Sequence, residues 1–388
     1  MPTFFNSVFD DLTPVAPLGL IVLEGAKELG NKINNYLVNW YNRDAKIVDP
    51  HFKKRDSFII NCECPRFTTG DGKGIIYDSV RGLDIYIIVD VGNYSCKYKL
   101  YEGENCMSPD DHYADLKRII SSIGGKAERI TVIMPMLYGG RQHRRNTRES
   151  LDCAQMLQEL YAMGVADIIT FDAHDPRVQN AVPLIGFDNF FASYQIVKAL
   201  HEKFPNIDFN KDKFMIVSPD EGAMGRNIFY ASVLGVDLGM FYKRRDYTTV
   251  VNGRNPIVAH EYIGTSVKDK CVFVADDIIA TGDSVLKLCT ELKEQGAKDI
   301  FLAPTYALFT EGIEKFQKAY DEGLFTAVVS TNLTYTNPKL DEKDWFVKAD
   351  LSKFIAYIVS SINQNKTLSG LLHSTDRIKE FLDKKNAE

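Results

Sequence analysis

The sequence predicts an α/β protein of two similar domains, each a mainly parallel sheet flanked by helices. Three observations lead there. Short apolar runs without polar alternation recur along the chain, as in strands covered on both faces. Helix-period stripes lie between them, and the strand–helix–strand order favours parallel pairing. Finally, the runs outnumber what one sheet would hold, and 388 residues suit two domains.

The strand candidates, in order, are Phe58–Ile60, Ile85–Val89, Ile130–Met134, Ile168–Phe171, Met215–Val217, Val272–Ala275, Ile300–Ala303 and Ala327–Ser330. Leu116, Ile119, Ile120 and Ile123 make one helical stripe. Cys153, Leu157, Leu160 and Tyr161 make a second, stopped by Gly164. Val285, Leu288, Cys289 and Leu292 make a third, stopped by Gly296. Leu351, Phe354, Ile355 and Ile358 form another near the end, and the charged tail from His373 reads as helix. Residues 92–113, 246–260 and 331–348 read as irregular. The Pro183–Gly186 stretch sets a boundary near 186–190. The expected division is 1–188, 189–345 and a block of C-terminal helices, 346–388, folding back on the first domain.

Composition narrows the function classes. Hydrophobic residues make up 45% and charged residues 25%, ordinary for a globular protein. A net charge of −6 argues against a general nucleic-acid or membrane binder. No apolar run approaches the roughly 18 residues that span a bilayer. The start, MPTFFNSVFDDL, has no cationic segment before an apolar one, so no signal peptide is expected. The seven cysteines are odd in number and several lie in apolar runs, which suits reduced thiols and a cytoplasmic location. Cys62-x-Cys64 with Cys96 and Cys106 offers four thiols for zinc, but the spacing is no recognised knuckle, and packing is the simpler reading.

The stretch CVFVADDIIATGDSV, residues 271–285, carries the most chemistry. An apolar strand ends in two adjacent carboxylates, a costly arrangement in a strand-to-helix turn unless hydroxyls or a divalent cation meet them. Ligands of open α/β sheets sit at such strand ends. Ala280, Thr281, Gly282, Asp283 and Ser284 can turn tightly and present backbone N–H groups at a helix N-terminus, an anion site. Carboxylates for ribose hydroxyls beside amides for a phosphate describe a phosphorylated pentose site. Asp283 alone also reads as an N-cap for a helix from Ser284.

This string resembles the phosphoribosyl-diphosphate (PRPP) loop of type I phosphoribosyltransferases and PRPP synthetases. Four further stretches resemble ribose-phosphate pyrophosphokinases (PRPP synthetases), in that family's order, and the likeness covers roughly residues 18–372. YGGRQHRRNTRES (138–150) is similar to the segment that contacts ATP. Arg141, Arg144, Arg145 and Arg148 crowd one loop, so they want a polyanion, unless they form a solvated basic patch. FDAHDPRVQNAVPLIGFDNFFAS (171–193) places His174 just after a strand; the resemblance implies that it meets Mg-ATP. MIVSPDEGAMGRN (215–227) puts Asp220 at a strand end, as a ligand for a divalent ion or as a helix cap. FYKRRDY (241–247) resembles the start of the catalytic loop. Lys243 and Arg245, at i and i+2 of a strand-like stretch, would point the same way and meet one phosphoryl group, or else protect a sheet edge.

Upstream, residues 63–89 resemble the adenine-binding hairpin: Phe67 keeps the stacking aromatic, while Thr69 and Asp71 stand where the family has Asp and Glu. The 92–113 segment and the catalytic loop, Lys243 to Gly264, look longer than in the family, and the tail from 373 is additional.

The resemblance implies a phosphoribosyltransferase-like fold and a ribose-phosphate diphosphokinase using ATP, ribose 5-phosphate and Mg²⁺. Phe67, Thr69, Asp71, Arg141, Gln142, Arg144 and His174 would bind ATP. Asp276, Asp277 and 280–284 would bind the ribose 5-phosphate. His174 and Asp220 would serve the metal, and Lys243 and Arg245 catalysis. It also implies a homo-oligomer, dimer-based and up to a hexamer. The alternatives are a phosphoribosyltransferase that consumes PRPP, and a non-catalytic regulatory subunit.

Overall fold

The computed structural model describes residues 14–48, 53–245 and 257–386; for 45–48, 243–245, 257–260 and 386 the description is of backbone alone. The chain divides into two compact units. The first is Met1–Phe191 with Asn332–Tyr335 and Asp350–His373; the second is Ala192–Thr331 with Thr336–Ala349 and Ser374–Glu388.

The first unit holds a five-stranded parallel sheet in the order β1-β4-β7-β8-β9. Its strands are β1 (Leu18–Val22), β4 (Asp84–Ile88), β7 (Arg129–Ile133), β8 (Asp167–Phe171) and β9 (Gly186–Phe190). Between β1 and β4 come α1 (Lys27–Val48) and a small antiparallel hairpin, β2 (Cys62–Glu63) with β3 (Ile75–Ile76). A second hairpin, β5 (Lys97–Leu100) with β6 (Gly103–Cys106), precedes α2 (Pro109–Ile123). Helix α3 (Asp152–Ala162) follows β7.

Apolar continuity explains the central strands: Ile85, Ile87, Val132 and Ile168 are fully buried, with Leu116, Ile119 and Ile123 of α2 and Leu157 and Leu160 of α3 against them. Helix α2 starts in a capping box, the Ser108 hydroxyl accepting from the Asp111 N–H while Asp111 accepts from the Ser108 N–H, with Pro109 at the first helical position. The start of β4 is held by a buried polar knot. Arg129 donates to both oxygens of Asp84 at 2.8 and 2.7 Å, and the Asn363 amide adds a bond at 2.9 Å.

The second unit holds a seven-stranded sheet, β12-β11-β10-β13-β14-β15-β16, parallel except for the antiparallel pair β11–β12. In chain order it runs α4 (Ser193–Lys203), β10 (Phe214–Ser218), α5 (Met224–Leu234), β11 (Asp237–Arg245), β12 (Ile257–Ile263), β13 (Cys271–Ile279), α6 (Asp283–Glu294), β14 (Asp299–Ala307), α7 (Glu314–Asp321), β15 (Ala327–Thr331) and β16 (Phe346–Ala349). Met215, Val272, Val274, Ile300 and Leu302 meet Leu288 and Leu292 of α6, Phe316 of α7 and Trp345 in one core.

Several expectations are corrected. Phe58–Ile60 is not a strand; only Ile59 bridges to Leu20 of β1. Residues 92–113 are not irregular but hold the β5–β6 hairpin and the first turn of α2, and 331–348 include the start of β16. Tyr161 leaves the α3 stripe and is half exposed, while Met156 takes the buried place. The 346–388 block is shared out: α8 (Ser352–Asn363) and α9 (Ser369–Leu372) lie in the first unit, α10 (Thr375–Asn386) in the second. Helix α8 packs on α1, with Tyr357 stacked on Trp40 at 4.5 Å. Of residues 246–260, expected to be irregular, 257–260 open β12, and 246–256 lie outside the described residues.

Candidate functional site

In the second unit the site grows from the end of β13. Val272 to Ala275 are buried, and the strand then runs on to Ile279 because β14 is equally long and keeps supplying ladder partners. Asp276 and Asp277 therefore sit inside the strand's last turn of pleat, with Asp276 opposite Pro304, rather than in the strand-to-helix turn expected. The Asp276 carboxylate accepts from the Asp277 N–H at 2.8 Å and lies 3.7 Å from an Arg226 guanidinium nitrogen. Burial, then the adjacent Asp277, raises the Asp276 pKa well above the usual carboxylate range, and Arg226 offsets this only in part.

The following turn is tied down by its neighbours. Leu308 N–H donates to Ile279 O at 2.9 Å, and Thr310 N–H to Ala280 O at 3.0 Å. Gly282 takes φ 91°, and a Cβ there would stand 2.3 Å from the Phe316 ring, so the position requires glycine twice over. Gly282 is the N-cap and the helix begins at Asp283, which corrects the reading of Asp283 as cap. The Asp283 carboxylate instead meets Lys315 Nζ at 2.8 Å and the Thr281 hydroxyl at 3.0 Å, contacts that hold it below its ordinary pKa. Ser284 is exposed in the first turn, where helix geometry leaves the amides without intrahelical acceptors.

Strand β10 is the parallel neighbour of β13, so Asp220, just beyond its end, lies at the same edge of the sheet as Asp276. Asp220 does not cap α5, whose N-cap is Ala223; its carboxylate accepts from the Ala223 N–H at 3.2 Å and shapes the turn. Lys243 and Arg245 lie in β11, opposite His260 and Ile257 of β12, with their side chains outside the described residues. The register shifts between Arg244 and Arg245, so the two-residue repeat does not run unbroken through that pair.

In the first unit, Phe67 opens the tight turn of the β2–β3 hairpin. Its N–H donates to Asp71 O at 2.7 Å, Gly70 N–H returns to Phe67 O at 2.9 Å, and the residue is 55% exposed. The Thr69 hydroxyl donates to the Asp71 carboxylate at 2.8 Å, so the two altered positions act on each other. The hairpin's root is an ion-pair network: Arg66 donates to both Asp115 oxygens at 2.8 and 2.9 Å, and Arg118 adds a third bond at 2.7 Å. Cys62 and Cys64 pack against the core, and burial pushes their thiols up to about 11 and about 12.

The 138–150 loop exposes Arg141, Arg144, Arg145 and Arg148, none of which forms an ion pair among the described residues. Gln142 braces this loop from within, its amide donating to Ser150 O at 2.9 Å and Arg144 O at 3.3 Å. His174 is exposed in the loop after β8, its ring 5.4 Å from that of His143. His143 Nδ1 in turn meets Asp175 at 3.0 Å, and Arg177 holds Asp175.

Two family models match along this architecture. The N-terminal domain of ribose phosphate pyrophosphokinase matches residues 18–164, and the phosphoribosyl transferase domain matches 187–342. Between them they take in most of the chain. The chain belongs to the ribose phosphate pyrophosphokinase family. A ribose-phosphate pyrophosphokinase of Ralstonia nicotianae is 29% identical over 274 residues, 70% of this chain and 78% of that one. One from Pyrococcus abyssi is 28% identical over 225 residues, 57% of this chain and 71% of its own. The crystal structure of phosphoribosylpyrophosphate synthetase from Mycobacterium smegmatis superposes with a TM-score of 0.70 at 20% identity, covering 90% of this chain and 99% of that one, which shows the shared fold.

Within this family member, tertiary structure adds residues that sequence reasoning passed over. Asn227 is fully buried and grips the peptide of Ala275, one residue before the acid pair. Arg226 approaches Asp276, and His143 joins His174. Both Arg226 and Asn227 lie in the quoted SPD segment and His143 in the arginine loop; their signal was chemical type within a motif, without a partner visible in sequence.

Proposed function

We propose that this chain transfers the β,γ-diphosphoryl group of ATP to the anomeric hydroxyl of ribose 5-phosphate, giving PRPP and AMP. The observation that carries the reading is the Asp276–Asp277 pair on a strand that leads into the Gly282-capped helix, within a chain that matches both halves of the family. Asp276 and Asp277 take the 2- and 3-hydroxyls, whose donors relieve the like-charge pair. The amides of 280–284 take the 5-phosphate. In the first unit Phe67 stacks on the base beside Thr69 and Asp71, while Arg141 and Arg144, on a loop shaped by Gln142, meet the polyphosphate with His174. Lys243 and Arg245 stabilise charge developing on the transferred group. No covalent intermediate on the protein is needed, since orientation and preplaced charge supply the barrier reduction.

Magnesium fits the donors. Among the described residues no group of three or more His, Cys, Asp or Glu side chains is arranged to hold a metal. A hard ion that keeps waters and binds through one or two carboxylates plus substrate phosphates suits Asp220 and the crowded Asp276–Asp277 pair. When bound, Mg²⁺ neutralises phosphate charge and helps to orient the polyphosphate. The reading includes a homo-oligomer, dimer-based and up to a hexamer, which light scattering measures.

The test is AMP release with ribose 5-phosphate and a panel of nucleoside triphosphates. AMP and PRPP formed from ATP in equal amounts support the proposal. Nucleotide formed from PRPP and a free base without ATP would replace it with the phosphoribosyltransferase reading, and ATP binding without turnover with the regulatory one.

A further inference from the structure

The β5–β6 hairpin has no role in the reading above, yet it lies against the Phe67 turn. Its strands are in register from Lys97↔Cys106 to Leu100↔Gly103, and Tyr101 at the tip takes φ 52°. Alternation sends Tyr98 and Leu100 to one face, which is half-buried, and Lys97 and Lys99 to the exposed one. The inward face meets the neighbouring hairpin at two places. Leu100 Cδ1 is 2.6 Å from where a Cβ on Gly70 would stand, so the leucine lies directly on the backbone of the Phe67–Gly70 turn. The Tyr98 ring is 5.2 Å from the Arg66 guanidinium, one residue before Phe67. The base of the β5–β6 hairpin is closed by the Met107 N–H to Cys96 O bond at 2.8 Å and runs straight into α2, whose Asp115 holds Arg66. Phe67 itself is 55% exposed, and the Lys73 ammonium lies 5.8 Å from its ring. With more than half of the residue in solvent, the backbone of the turn, closed by the Phe67 and Gly70 amides, sets where the ring projects.

We propose that the β5–β6 hairpin is a brace for nucleotide recognition, with Leu100 and Tyr98 as positioning residues that set the Phe67 turn. The proposal rests on the reading of Phe67, Thr69 and Asp71 as the base-binding turn. Its physical content is simple. Leu100 fills the space over Gly70 and Tyr98 covers Arg66, so the turn loses conformations in which Phe67 swings away, and less ordering is required when a base stacks.

Two measurements on the full-length protein test it. Hydrogen exchange reads the brace without any ligand: the Phe67 and Gly70 amides, both bonded across the turn, are expected to exchange about tenfold faster in Leu100→Ala, while amides of β4 keep their rates. Steady-state kinetics read its purpose: Leu100→Ala and Tyr98→Ala are expected to raise KM for ATP about fivefold to tenfold and narrow the ATP-to-GTP preference, leaving KM for ribose 5-phosphate within about twofold. Leu100→Met should restore both readouts. Unchanged exchange at Phe67 and Gly70 overturns the brace. Faster exchange with unchanged ATP KM and base preference overturns its role in recognition. If the unmutated protein neither binds nor turns over ATP, the function proposed above falls, and the exchange data still decide whether the hairpin braces the turn.

Discussion

The side-chain amide of Asn227 grips the peptide of Ala275 from both sides, donating to its carbonyl at 2.9 Å and accepting from its N–H at 3.1 Å. The same amide nitrogen bonds Ala223 O at 2.8 Å, which ties the first turn of α5 to β13 just before the acid pair. Asn227→Ala leaves these buried groups unpaired, at a cost of about 2–3 kcal/mol for two lost partners. Chemical denaturation should show that loss. A second effect separates clamp from simple packing: KM for ribose 5-phosphate should rise several-fold, with KM for ATP near its original value.

Gly282→Ala tests the turn assigned to the 5-phosphate. An L-residue at φ 91° is strained, and its Cβ would meet the Phe316 ring at 2.3 Å. Strain and overpacking together should cost about 2–4 kcal/mol. Phe316→Leu relieves the clash but not the backbone strain, so the double variant should recover only part of the melting temperature. Full recovery would mean that the left-handed conformation contributes nothing.

How much of this was legible beforehand depends on where each signal resides. The central strands announced themselves because covered parallel strands are continuous apolar runs. Strand β9, GFDNF, did not, because Gly186, Asp188 and Asn189 break the run at an edge of the sheet. The KYKL–GENC hairpin escaped because two short, half-exposed strands rich in lysine look like a polar loop. Phe58 and Ile60 are as apolar as a strand requires, but only Ile59 pairs, since Phe58 N–H is taken by the Asn34 side chain at 2.8 Å. The 276–284 segment stood out as a candidate loop because its groups are contiguous. Asn227, Arg226 and His143 were not, because each acquires meaning from a partner elsewhere in its unit.

A pH dependence follows from Asp167. Its Oδ1 is buried and finds no hydrogen-bond partner among the described residues. Burial, then the nearby Asp188, raises its pKa to about 6. A carboxylate whose folded pKa lies above its unfolded value near ~4 opposes folding once ionised, so this group's penalty grows as pH rises from about 4 through about 6 and is then constant. Asp167→Asn removes the charge, and should stabilise the protein on the order of 1 kcal/mol at pH 8 while changing little at pH 4. Urea midpoints at the two values check it, and an equal shift at both would show that charge is not the cause.

The roles assigned to the acid pair and to the β11 cations predict opposite kinetic signatures. Asp276 is held beside Asp277 and 3.7 Å from Arg226, at the edge where a sugar's hydroxyls would donate. Asp276→Ala removes binding that is present before and during transfer, so it should raise KM for ribose 5-phosphate at least about tenfold with a smaller fall in kcat. Lys243, on β11 opposite His260, is assigned to charge that develops only as the diphosphoryl group moves. Lys243→Ala should therefore lower kcat at least ~100-fold, the order found for loss of one transition-state donor, with ribose 5-phosphate binding little changed. If Lys243→Ala turns over at the original rate, the cation has no part in the transfer. If Asp276→Ala lowers kcat alone, the carboxylate belongs to the transition state rather than to the sugar, and the division of labour between the two strands must be redrawn.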